Sequence, residues 1–301
     1  MTTVESPALA RDRRTRGNPL WQVSAEIMKI RTTRLWWLFL VGVALFTAWT
    51  VLRNGVGHHY ELNPPLDQYP VNERAQAAAG AVQAATEAGR AAIAADMMTS
   101  GQLLGGLLAM LLGVVVLTSE YAYRTAPATF LTNPRRGTVI VAKLVTTVIA
   151  GIVFWAVSTL LDLLVTPFYL SSQHIQTSLV GWVPLRSVLL NLLAYVMWAV
   201  FGVGFGSLFR SQVAAVVTGL AVYLGGVAAV LGIFNLVYLA YRHAWVLGAP
   251  VIAPAVASLV MITPGPAFDH APPQWVGLLV MLGYALVFGA VGVVRTRRRD
   301  I

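Results

Sequence analysis

Chemistry along this chain concentrates in one short polar segment between two long apolar runs. It reads Ser119-Glu120-Tyr121-Ala122-Tyr123-Arg124-Thr125-Ala126-Pro127. It then continues through Phe130, Leu131, Thr132, Asn133, Pro134, Arg135 and Arg136 to Lys143. The mixture of Tyr, Phe, acid and Arg is unusual for a solvated loop and suits a short amphipathic helix docking into a protein groove. Glu120 and Arg124 stand at i,i+4, the spacing at which a carboxylate and a guanidinium pair along a helix. The other isolated group is Asp162, an acid within an otherwise apolar run, where charge is costly and marks a functional candidate. It lies near the outer end of that run, a few residues before Pro167. An interfacial or structural role, or a pairing with Arg186, suits that position.

Several chemistries are absent. There is no cysteine, so disulfides, thiol nucleophiles and thiolate metal sites are excluded. No GxxxxGK[ST] phosphate loop occurs, and the only lysines, Lys29 and Lys143, do not follow a glycine-rich turn. The chain therefore does not bind ATP by that motif, and no cofactor is expected on it. His58 and His59 are adjacent, but the sequence offers them no third ligand, so no metal site is expected. No paired acids or histidines suggest an enzyme at membrane depth. A carrier driven by ions or protons would have to rely on Asp162 alone.

The elements that must position these groups are set by composition. The chain has 301 residues, of which 57% are hydrophobic and only 11% charged, with a mean hydropathy of +0.70. Soluble domains carry about 25% charged residues, so a water-facing surface is excluded and a lipid-facing one is expected. Apolar runs of about 20 residues fall at 35–52, 97–118, 144–165, 187–208, 213–240 and 275–294. They are continuously apolar rather than alternating, which predicts helices and not barrel strands. A seventh run, 244–263, is broken by Pro250 and Pro254.

Charge settles the parity. Cytoplasmic flanks collect Lys and Arg, and both chain ends are rich in them, so both termini are expected inside and the number of crossings is even. Residues 244–263 are then expected to be re-entrant or interfacial on the outer side. With six spans, 16 of the 21 basic residues fall on the inner side. The net charge of +9 is thus a topology signal spread over loops, and no nucleic-acid partner is expected.

The predicted organisation is an all-α polytopic membrane protein in two parts. Residues 1–34 form a cytoplasmic tail and an N-terminal amphipathic helix on the inner leaflet, built from Trp21, Val23, Ile27, Met28 and Ile30. Residues 35–301 form the six-span domain. It includes an Ala-rich outer insertion at 53–96, expected to be an exposed helix for most of its second half, and a cytoplasmic loop at 119–143. The pairs Gly101/Gly105 and Gly202/Gly206 predict close helix approach.

The cytoplasmic loop resembles that of type-2 ATP-binding-cassette permeases, in which a Ser-Glu-Tyr/Phe element ends the second span. A basic residue and Thr follow, then a Pro/Ser-Arg element and a Lys before the third span. Here these are Ser119-Glu120-Tyr121, Arg124-Thr125, Pro134-Arg135 and Lys143; Ala126-Pro127 departs from the pattern. The resemblance implies a permease subunit, paired with a copy of itself or a related permease, whose energy comes from a separate ATP-binding cassette subunit. Glu120, Tyr121, Arg124, Thr125, Arg135 and Arg136 would form the coupling element. The apolar, aromatic spans are expected to carry a hydrophobic or amphipathic substrate outward across the plasma membrane.

Overall fold

The computed structural model describes residues 19–122, 136–175, 181–268 and 270–298, and no strand occurs among them. Helix α1 spans Pro19–Thr32 and α2 spans Leu35–Leu62. The outer insertion folds as α3, Val71–Ala84, and α4, Glu87–Met97, and α5 follows at Gln102–Ala122. Next along the chain come α6, Arg136–Ser172, α7, Trp182–Gly206, and α8, Gln212–Tyr241. The last elements are the short α9, Trp245–Gly248, a 3-10 turn at Ala249–Ile252, α10, Pro254–Ile262, and α11, Gln274–Arg298.

Six helical segments are long and apolar enough to cross a membrane. These are α2, α4 with α5 taken together, α6, α7, α8 and α11. The protein is therefore an all-α, six-span protein, as its hydropathy predicts. Helix α5 is its axis: 89% of its most apolar window is buried, against 11% for α8 at the periphery. Helix α7 packs along α5, with α6 and α11 on its other sides. Two glycines make this possible. A methyl group on Gly113 would collide with the Ala199 carbonyl, and one on Gly202 with the Met110 carbonyl. The backbones of α5 and α7 thus touch directly, which in lipid is the main source of helix–helix attraction.

Three expectations need correction. The second half of the outer insertion is two helices, separated at the N-cap Thr86, whose hydroxyl accepts from Gly89 N–H. Only α3 is exposed, whereas α4 buries Ile93, Ala94 and Met97 against Val51 of α2 and Leu170 of α6. Alanine-rich composition conceals this, because small residues bury well when helices approach closely. In addition, α2 and α6 run past their apolar runs, α6 continuing through Pro167 to Ser172. Neighbouring helices tolerate such a proline.

The segment at 244–263 is bent by 106° between its two arms, Trp245–Ile252 and Pro254–Ile262. Ala253 is extended (ψ 132°) and Pro254 occupies the first helical position, as the steric demands of an X-Pro pair dictate. The nine-residue α10 is about 14 Å long, less than half of the roughly 30 Å hydrocarbon core.

Candidate functional site

Where α1 meets the last turn of α5 and the start of α6, four charged side chains from three helices close into a clasp. Lys29 of α1 donates to Glu26 Oε1 of the same helix at 2.6 Å and to Glu120 Oε1 of α5 at 2.9 Å. Lys143 of α6 reaches Glu26 Oε2 at 2.8 Å and Glu120 Oε1 at 2.9 Å. Lys143 is only 2% exposed and also donates to the Val116 carbonyl of α5 at 3.4 Å. Burial opposes the charge on Lys29, but the hydrogen bond to Glu26 and the field of Glu120 outweigh it and hold its pKa above the ordinary lysine value. A cavity of about 290 Å³ lies beside the clasp, between α1 and α5, with Leu35, Leu112 and Val115 in its wall.

The clasp explains how α1 sits. Its apolar Trp21 and Met28 are 55% and 64% exposed, whereas its polar Gln22 and Glu26 are buried against the bundle. A buried carboxylate needs a compensating charge, and for Glu26 Lys143 supplies it. Sequence reading missed this role of Glu26, Lys29 and Lys143. The available signal was that the chain's only two lysines flank the two spans nearest Glu120.

Of the coupling residues expected from sequence, Glu120 is described in full, and its partners are Lys29 and Lys143. Arg124, Thr125 and Arg135 lie outside the described residues, and so does the expected Glu120–Arg124 pair. Tyr121 falls in the last turn of α5 and Arg136 opens α6.

Asp162 is fully buried, and neither carboxylate oxygen has a hydrogen-bond partner among the described residues. The expected pairing with Arg186 is not formed, since Arg186 donates to the Gln274 side chain instead. Helix α6 continues ten residues beyond Asp162 to Ser172. Around it lie polar contacts between α2, α5, α6 and α7. Thr47 donates to Ser158 at 3.0 Å, and Tyr195 donates to the Gly101 carbonyl at 3.1 Å. One turn before Tyr195, Asn191 is likewise buried and unpartnered. At the end of the bundle opposite the clasp, His58 stands between Glu61 (2.8 Å) and Asp96 (2.9 Å), and its neighbour His59 meets Gln173 at 3.1 Å. No group of three metal-ligating side chains occurs among the described residues.

A family model described as ABC-2 family transporter protein matches residues 21–301, which takes in every described helix from α2 onward and nearly all of α1. No curated protein matches the chain.

Proposed function

The chain belongs to the ABC-2 transporter family, and from that membership we propose that it is the permease of an exporter powered by ATP hydrolysis on a separate subunit. It is a multi-pass membrane component of an ABC transporter. The exporter reading goes further, and the observation that carries it is the charge clasp. The clasp ties α1, the inner end of α5 and the inner end of α6 together. The segment between α5 and α6 is the one that resembles a coupling element. A push on that segment by a closing ATPase is therefore delivered to both spans and to α1 as one rigid body. For this to do work, the closed ATPase must bind the two permease conformations with different affinity.

Two permease copies with two ATPase subunits make the transporter in this reading, with ATP and magnesium held by the ATPases. Both termini face the cytoplasm, α1 lies on the inner leaflet of the plasma membrane, and α9 to α10 form an outer re-entrant hairpin. The distribution of Lys and Arg supports this topology. The cargo is hydrophobic or amphipathic, because the spans offer aromatic surface and few charges.

Affinity capture from native membranes in mild detergent tests the assignment. A stoichiometric ATPase subunit bearing a phosphate loop is expected, and its activity should fall when Glu120 is replaced by Ala. Repeated recovery of the chain alone, in preparations that retain other complexes, would overturn the reading. The unpartnered carboxyl of Asp162 favours a second reading, an ion- or proton-coupled carrier. Transport that survives ATP depletion and collapses with the proton gradient would select it.

A further inference from the structure

Helices α2 and α8 both pack on α5 but barely touch each other. Helix α7 ends at Gly206, and the chain crosses 207–210 before Ser211, extended at φ −109° and ψ 128°, caps α8 by accepting the Ala214 N–H. Helix α8 starts clear of α2, and a trough of about 740 Å³ is left between them, with Val115 of α5 in its wall. The trough is graded in polarity. One end carries Arg210, Ser211 and Gln212. From there the α8 wall runs on through Val213, Val216 and Val217, and the α2 wall is Leu35 and Phe39. Leu35 and Gln212 each open their helix, so the polar end lies where the spans begin and the apolar end reaches into them.

That gradient is the one a phospholipid carries, a charged phosphate above a hydrocarbon chain. An unfilled apolar trough forfeits the dispersion contacts of its lining, and an acyl chain restores them. Charge selects the headgroup. Arg210 is exposed and has no carboxylate partner among the described residues. The described acids at this end of the bundle are Glu26 and Glu120, and both are held by Lys29 and Lys143. Neither this chain nor a second copy of its described residues therefore brings Arg210 an anion. A phosphodiester does, and a guanidinium takes its two free oxygens side by side.

We propose that this trough binds one anionic phospholipid from the leaflet at the clasp end, with its phosphate on Arg210 and an acyl chain lodged between α2 and α8. The cavity beside the clasp shares Leu35 and Val115 with the trough. The bound lipid thus abuts the wall of the clasp cavity and holds α2 and α8 at a fixed spacing across α5. In the topology proposed above this leaflet is the inner one. The site goes beyond the exporter reading and does not depend on it.

Native mass spectrometry of the purified full-length chain, delipidated in detergent, tests the proposal without ATP or an ATPase. The chain is titrated with phosphatidylglycerol or with phosphatidylcholine of the same acyl chains. One saturable phosphatidylglycerol adduct is expected, at about tenfold lower concentration than phosphatidylcholine needs. Arg210→Gln should bring the two lipids to parity, and Arg210→Lys should keep most of the preference. Arg242→Gln, at the opposite end of α8, should leave the preference intact. Val217 is 60% exposed, so Val217→Phe narrows the trough without disturbing the core and should weaken both lipids severalfold. Equal binding of the two lipids, adducts that climb without saturating, a preference that survives Arg210→Gln, or no effect of Val217→Phe would overturn the proposal. A chain dimer that forms without lipid and is broken by Val217→Phe would give the trough to a second copy and overturn it as well.

Discussion

At the scale of single residues, the buried charges behave in two opposite ways. Lys143 is fully compensated, so removing it leaves Glu26 and Glu120 with less positive charge in a dry environment. Lys143→Ala should cost about 3–5 kcal/mol, read as a lowered thermal midpoint in detergent. Adding Glu26→Gln to Lys143→Ala should recover part of that loss, because the orphaned charge is then gone. A double-mutant cycle showing simple additivity would mean the two side chains do not interact. The raised pKa of Lys29 has a definite sign: its contribution is complete at neutral pH and is lost only as pH climbs through the elevated value. Melting curves should be flat near neutrality for this group and decline at alkaline pH, with Lys29→Arg postponing the decline. Asp162, by contrast, has no charged side-chain partner among the described residues to lose. Asp162→Asn should change stability by less than about 1 kcal/mol, whereas Asp162→Lys should prevent accumulation in the membrane, measured as folded yield.

At the scale of elements, the contact of α5 with α7 decides whether the bundle closes. Gly202 faces the Met110 carbonyl with no room for a methyl group, whereas Gly226 on α8 faces open space. Gly202→Ala should therefore reduce the folded yield severalfold by size-exclusion chromatography, and Gly226→Ala should not. The glycine spacing indicated this contact, but not the partner backbone, since a GxxxG pair marks a groove and not what fills it. The fate of the Ala-rich insertion was also hidden. Its composition specified helix, but burial of α4 arises from Val51 and Leu170, residues far away in the chain.

At the scale of the whole molecule, the proposed topology puts both termini on the cytoplasmic side, following the clustering of Lys and Arg. Cysteines placed singly near Trp21, in α3 and near Trp245 of this cysteine-free chain should sort by reactivity with an impermeant maleimide. The α3 and Trp245 positions should react from outside intact cells and the Trp21 position only after lysis. Reaction of the Trp21 position in intact cells would invert the topology.

The number of spans, the helical class and the family resemblance were all legible in the sequence. They depend on summed apolar character over 20-residue windows and on the local order of a few motif residues, and neither needs a fold to be evaluated. The clasp, the unpartnered Asp162 and the trough beside Arg210 were not legible. Glu26 and Lys143 are 117 positions apart, and Leu35 and Arg210 line one trough only because α2 and α8 both pack on α5. Burial and pairing are properties of surroundings, and only the packing of α1, α5 and α6, and of α2, α5 and α8, supplied them.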